Sequence, residues 1–421
     1  MIDLVNAQKL DRNDILSEFK NLFENNPNEI YLDGNSLGKL PKKTQEIYTK
    51  TIENQWGKRL IRSWNEEWLK LPLRLAKKYG FLLKVKKEEI IIGESTSIRL
   101  YQILDSLINS RIFPPKLGSD NLNFPSDLYI LEGLADRLSL GKVKLINYSQ
   151  EIFADLKLLK KTIKTHPGIY CLSLVSYKSA FLYPMKELNL WAKKNNSIIV
   201  WDLSHAVGVI EIDLKQSQCR IALGCTYKYM NGGPGSPAFM FIEKKLQRNL
   251  YNPIQGWFGH KSPFTFDIAY KPDSGINRFA IGTIPILSMQ AMESGIDITL
   301  TAGIKNLRKK SVDLSRFFLS GIEKRLIPLG IKVESPLKSS DRGSHLTISH
   351  DHSWQICQAL IQGKSGSQVI IPDFRPPKFI RFGIAPLYTS HEDLYNVIIR
   401  LENIILSKSY RKYDNKKTNV T

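Results

Sequence analysis

No run of apolar residues in the 421-residue chain approaches the ~20 that an α-helix needs to cross a bilayer, so a helical membrane protein is excluded. Cysteine is scarce. Its four residues, Cys171, Cys219, Cys225 and Cys357, form no C-x-x-C pair, so free thiols in a cytoplasmic protein are expected. The opening stretch MIDLVNAQKLDRNDIL has no basic segment followed by an apolar one, which predicts no signal peptide. Internal repeats and low-complexity segments are missing as well. Acidic residues are in deficit, 40 Asp and Glu against 60 Lys and Arg, for a net charge of +20. Such a balance raises nucleic acid or an anionic surface as a partner. The lysines are spread along the whole chain, however, and the one basic polar stretch, SKSYRKYDNKKTNV, reads as a frayed end after the last helix. Neither a nucleic-acid partner nor a membrane is expected.

What is present is an alternation. From about residue 80 to 245, the short apolar runs EEIIIG, VKLINY, GIYCLSLVS, NSIIVWD and FMFI alternate with helical patterns such as TSIRLYQILDSLI. Apolar runs of this length, bounded by turn residues, read as strands buried on both faces, and their alternation with helices predicts a largely parallel α/β sheet. From Ile286 the pattern turns to long helices and then to a mixed segment: IKVESP, SHLTISH, a helix near Trp354 to Ile361, FIRFGIA and a final helix near Glu392 to Leu406. A large domain over 61–300 and a smaller α+β domain over 301–421 follow.

In open parallel sheets, ligands bind outside the carboxyl ends of the strands. After EEIIIG come Ser95, Thr96 and Ser97 at a helix start, where exposed N–H groups suit an anion; alone, such a cluster is equally an ordinary cap. After NSIIVW comes Asp202, with His205 three residues on. A carboxylate at the end of a buried strand needs a cationic or hydrogen-bonding partner, although capping the next turn would also account for it. Lys228 then stands in GCTYKYMNGGPGSPAFMF, against a loop rich in glycine and proline. An acid ending one strand, a lysine ahead of a later one and a hydroxyl cluster at a helix start together fit pyridoxal 5'-phosphate. That cofactor needs an amine to bond its aldehyde, an acid for its ring nitrogen and a cradle for its phosphate. Lys228, Asp202, and Ser97 with the helix start are the candidates.

Ten stretches carry a family resemblance: YLDGNSLGKLP, LIRSWN, ESTSIRL, FPSDLY, WDLSHAVG, CTYKYMNGGPGSPAF, GWFGH, FAIGTIPIL, RGSH and IRFGIAPLYTS. Over most of its length, and in the family's order, the chain resembles the kynureninases, pyridoxal phosphate enzymes of fold type I. The resemblance implies that residues 1–60 pack with the small domain. It places Phe124 on the cofactor ring with Asp127 nearby, Thr96, Ser97 and the Tyr227 hydroxyl on the phosphate, and Asp202 and His205 along the ring. Trp257 and Thr283 would reach in from the second subunit of a homodimer with shared sites. Arg381 would clamp the α-carboxylate of an amino-acid substrate, with Arg375 of DFRPP the next choice for that task. Ser36 and Trp64 would lie near the substrate's aromatic end. Taken singly, Phe124 and Trp64 would read as core aromatics and Arg381 as a surface ion pair; their place in long motifs reverses that. Ser176-Tyr177-Lys178-Ser179-Ala180 stands where the family pattern has Asn-Tyr-Arg-Thr-Gly, so Ser179 keeps a hydroxyl while the glycine is lost.

The activity so implied is hydrolytic Cβ–Cγ cleavage of L-kynurenine, or of its 3-hydroxy derivative, to the anthranilate and L-alanine, with no metal. Lys228 would take the α-proton, and Tyr227 would either shuttle a proton or bind phosphate. A cysteine desulfurase-like lyase of the same fold is the alternative. It needs a nucleophilic cysteine on a mobile loop after the lysine, and the only later one, Cys357, lies in a helical pattern.

Overall fold

In the computed structural model, residues 2–363 and 368–414 are described. The chain enters through the helix Leu4–Arg12 and the short strand β1 (Glu29–Tyr31). Seven strands then build one sheet: β2 (Ile90–Ile92), β3 (Leu117–Asp120), β4 (Lys144–Ile146), β5 (Ile169–Ser173), β6 (Ile198–Asp202), β7 (Ile221–Gly224) and β8 (Phe239–Ile242). Their order is β2-β8-β7-β6-β5-β3-β4. Only β8 runs against its neighbours; the other pairings are parallel. The sheet is the mainly parallel one that the alternation of apolar runs and helices predicts.

Side-chain alternation divides the sheet between two cores. Ile169, Cys171, Ile198 and Val200 face one side, where Leu100, Ile103, Leu104 and Leu107 of the helix Thr96–Ser110 cover them. Tyr170, Leu172, Ile199 and Trp201 face the other, against Leu75 and Tyr79 of the helix Leu71–Leu83 and Leu188 of the helix Met185–Lys194. Because both faces are covered, every residue of β5 and β6 is buried. Two strands escape a reading of apolar runs, β3 (LGSD) and β7 (IALG). Gly, Ser and Asp have low strand propensity, and here pairing with β5 or β6 overrides it.

The C-terminal part is an antiparallel sheet: β9 (Lys332–Val333), β10 (His345–Ser349), β12 (Asp373–Arg375) and β13 (Phe379–Gly383), in the order β12-β13-β10-β9. β11 (Val369–Ile371) pairs instead with β1, in parallel. Leu314, Phe318, Ile356, Leu360, Val397 and Leu401 pack over this sheet from three helices. Ala7, Ile30 and Leu32 share that core. From Lys43 on the chain leaves it: the helix Lys43–Thr49 lies on the helix Ile286–Ala302, with Thr44 Oγ1 2.6 Å from Ser294 Oγ. The basic end of the chain differs from expectation as far as Asp414. Tyr410 is buried and stacks on His352 at 5.0 Å, and Asp414 accepts from Trp354 Nε1 at 3.1 Å. An aromatic anchor inside a polar stretch is what composition conceals. The rest of that stretch, 415–421, lies outside the described residues.

Between the two parts runs the segment 33–38. Its Gly38 N–H donates to the Tyr227 carbonyl at 2.7 Å. A Cβ on Gly38 would meet the Lys228 carbonyl oxygen at 2.3 Å and the Asn231 Cα at 2.8 Å, both backbone atoms that cannot swing aside. Gly38→Ala is therefore expected to cost about 1–3 kcal/mol of stability, the usual range for overpacking. Denaturant unfolding measures it, and a wild-type midpoint would show that the segment can shift freely.

Candidate active site

β6 ends on Asp202, and a single turn fixes its carboxylate: the Ser204 N–H and hydroxyl both donate to Asp202 Oδ1, at 2.8 and 2.5 Å. The Ser204 hydroxyl in turn accepts from the Cys225 N–H at 3.0 Å, tying the end of β6 to the start of the Lys228 loop. That loop folds back on itself. Thr226 Oγ1 donates to the Pro237 carbonyl at 2.7 Å, and the Thr226 carbonyl accepts from Gly232 N–H at 2.9 Å. Lys228 is thereby presented at the carboxyl edge of the sheet, with Nζ 3.2 Å from His205 Nε2 and 5.7 Å from the centre of the Phe124 ring.

Two helix starts converge on the same point. Ser95 caps the helix Thr96–Ser110, its hydroxyl accepting from Ile98 N–H at 3.3 Å. Phe124 precedes the helix Pro125–Arg137, and Ser126 Oγ lies 3.3 Å from Ser97 Oγ. Phe124 itself is held from below, its N–H donating at 2.9 Å to buried Asn123 Oδ1, which also accepts from Ser173 Oγ at 2.6 Å. From the small domain comes Arg381, on β13 and 1% exposed. It donates to Asp373 through Nε at 2.6 Å, to the Tyr177 carbonyl at 2.5 Å and to Ser36 Oγ at 3.2 Å.

These groups enclose a cavity of about 230 Å³. Lys228, Tyr227, Asp202 and His205 line it from the sheet edge, Thr96, Ser97, Phe124 and Asp127 from the helix starts, and Ser36 and Arg381 from the small-domain side. Burial pushes the Asp202 carboxyl above its ordinary range, against the opposing pull of the Lys228 ammonium and Ser204. Asp127 is pushed well above it, by burial and then by the charge of Asp202. His205 is drawn well below its ordinary value by burial and by Lys228, so its ring is neutral and can accept from the ammonium. Cys225 and burial raise the Tyr227 phenol, which keeps its proton at neutral pH.

Four of the expected residues lie apart from this cavity. Ser179 faces away: its hydroxyl donates to the Ile152 carbonyl at 2.7 Å and accepts from Phe181 N–H at 3.2 Å. The turn thus holds the hydroxyl, and Ser179 is not among the residues that line the cavity. Ala180, at the family's glycine, holds a left-handed φ of +64°. Trp64 packs edge-on against Trp68 at 5.3 Å and against Phe258 at 6.0 Å. Trp257 and Thr283 are exposed on the same chain. Ser36, expected near the substrate's aromatic end, stands beside the guanidinium groups of Arg381 and Arg375. Asn35, Ser126 and Ser204 also line the cavity and were not singled out by residue type, although each sits inside a quoted motif. Among the described residues no cluster of His, Cys, Asp and Glu could hold a metal ion. No described helix is long and apolar enough to cross a membrane.

Residues 307–401 match the family described as Kynureninase C-terminal domain. The chain is 34% identical over 410 residues to a kynureninase of Burkholderia mallei (strain SAVP1), covering 96% of each protein. To a kynureninase of Pseudomonas fluorescens it is 33% identical over 407 residues, 95% of each. Among solved structures it resembles a cysteine desulfurase from Thermococcus onnurineus NA1 (TM-score 0.76, 18% identity, 90% of this chain and 95% of that one). It also resembles a cysteine desulfurase from Escherichia coli (TM-score 0.78, 13% identity, 93% and 98%). At those identities the structures speak for the shared fold alone, whereas the sequence relatives are matched nearly end to end: the chain belongs to the kynureninase family.

Proposed function

We propose that this protein is a pyridoxal 5'-phosphate enzyme that hydrolyses the Cβ–Cγ bond of L-kynurenine, or of its 3-hydroxy derivative, giving the anthranilate and L-alanine. The observation that carries the proposal is the convergence of the Lys228 ammonium, the buried Asp202 carboxylate and two hydroxyl-bearing helix starts in one cavity. The donor set fits the cofactor. Lys228 supplies the amine, Asp202 the acid for a ring nitrogen, and Thr96, Ser97 and Ser126 with their helix N-termini the anion cradle. Phe124 offers an aromatic face beside the amine.

Bound there, the cofactor supplies an electron sink for the substrate's α-carbon. The protein's own work is to place groups and protons. Arg381, braced by Asp373, receives the α-carboxylate and so decides which Cα bond stands across the ring. The Lys228 amine is the base for the α-proton, and neutral His205 next to it can accept a hydrogen bond without competing for charge. Tyr227, protonated at neutral pH, is the donor at hand for the carbon or oxygen that gains a proton after cleavage. Ser204 keeps Asp202 aimed throughout. A desulfurase-like reaction has no support from the cysteines: Cys357 is buried in the small-domain core, and the other three are buried too. Four buried thiols also fit a reducing, cytoplasmic setting.

The working unit is proposed to be a homodimer with shared sites. Trp257 forms an aromatic group with Phe258, Phe264 and Phe266, at centroid distances of 4.1, 5.6 and 6.4 Å. Phe266 is 77% exposed and Ile61 76% exposed, which is poor surface for a monomer. In a dimer this surface would carry Trp257 and Thr283 towards the neighbour's cavity.

Three outcomes are expected. Borohydride treatment of the purified protein should fix the cofactor on Lys228, read by mass spectrometry; an adduct on another lysine would overturn the assignment. Mixing a Lys228→Ala chain with a Trp257→Ala chain should restore part of the activity lost in each, and mixed dimers that stay inactive would contradict the shared site. Arg381→Lys keeps the charge and loses the planar fork, so kcat/KM for L-kynurenine should fall by roughly tenfold to a hundredfold, about 1.4–2.8 kcal/mol, with normal cofactor content.

A further inference from the structure

Asn35 is 0% exposed and lines the cavity of Lys228 and Arg381, yet neither Nδ2 nor Oδ1 of its carboxamide has a hydrogen-bond partner among the described residues. A buried amide with both ends unmet costs free energy that a fold does not ordinarily tolerate without a use. Its seat is specific. The amide lies against the Cα of Gly383, where a Cβ would come within 1.9 Å of Oδ1 and 2.8 Å of Cγ. Gly383 follows Arg381 by two residues on the same strand, and its N–H donates to the Leu32 carbonyl at 2.6 Å. The glycine thus makes room for the amide at the place where β13 presents its guanidinium.

The adjacent groups say what the amide is for. Ser36 Oγ already accepts from Arg381 Nη2 at 3.2 Å and stands 3.5 Å from Arg375 Nη2. Arg381 spends Nε on Asp373 and Nη1 on the Tyr177 carbonyl, and its Nη2 also pairs with Asp373. A carboxylate offers about four lone-pair sites, more than the N–H groups left on Arg381 can fill. A further donor without a partner, lining the same cavity as both arginines, is Asn35 Nδ2.

We infer that Asn35 is a second recognition residue for the substrate's α-carboxylate, donating from Nδ2 next to Arg381. The inference rests on the reading of the cavity as an amino-acid site. It accounts for the unmet Nδ2: the missing acceptor arrives with the substrate.

The test compares three ligands on holoenzyme: L-kynurenine, L-alanine, which has the carboxylate and no ketone, and kynuramine, which has the ketone and no carboxylate. Asn35→Ala should weaken L-kynurenine (KM) and L-alanine (inhibition constant) by about tenfold, roughly 1.4 kcal/mol, and leave kynuramine within about twofold. Asn35→Asp keeps the size and sets a charge against the carboxylate, so it should weaken the same two ligands at least as much. It carries the comparison if the alanine variant fails to fold, as judged by melting temperature and cofactor absorbance. Equal loss for all three ligands, loss for kynuramine with L-alanine unchanged, or no loss at all would each overturn the inference. A wild-type protein that does not cleave L-kynurenine would refute the proposed reaction instead. Titration of L-alanine and kynuramine, followed by the cofactor's absorbance, would still decide the role of Asn35.

Discussion

Everything at the carboxyl edge of the large sheet is arranged around one cation, the ammonium of Lys228. Two buried carboxyl groups, Asp202 and Asp127, and one buried imidazole, His205, take their protonation from it and from burial together. Burial favours the neutral form of all three. Lys228 acts against burial at the two acids and with it at the imidazole. A site built this way sets acids raised from their ordinary range and an imidazole lowered from its own beside a lysine, the perturbed kind of set that proton transfer uses. The backbone converges on the same point: Ser204 bonds both to Asp202 and to Cys225, the residue after β7, so one serine ties the acid to the lysine loop.

The opposite wall of the cavity depends on a different constraint, the passage of residues 33–38 between the two parts of the chain. β1 pairs with β11, Gly38 touches the Tyr227 carbonyl, and Asn35 presses on Gly383. Ser36 and Asn35 therefore reach the cavity only because an N-terminal strand is held by the small domain while its continuation is pinned to the lysine loop.

The same frame serves proteins of different chemistry, as the likeness to cysteine desulfurases shows. What separates this chain from such chemistry is side-chain placement. The one cysteine that follows the lysine loop lies in a helix whose inner face fills the small-domain core, beside Ile356 and Leu360. Reaction type lives in which groups meet at the strand ends, and the sheet itself is neutral in the matter.

Much of this was legible from the chain alone. Short apolar runs alternating with helical periods determine a parallel sheet with both faces covered, because only that arrangement buries such runs. Ligands gather outside strand ends, so the order of the chain already pairs Asp202 with Lys228, and the hydroxyls of Thr96 and Ser97 with them. Residue type could not decide what depends on direction. Ser179 and Ser126 are alike as serines; a turn spends one hydroxyl on the Ile152 carbonyl and a helix start points the other into the cavity. Ser204 and Asn35 are unremarkable polar residues in sequence. Only tertiary structure puts the first on both sides of the Asp202 turn and leaves the second unpaired against a glycine 348 positions away, since hydrogen-bond satisfaction is a property of the packed neighbours and not of the residue.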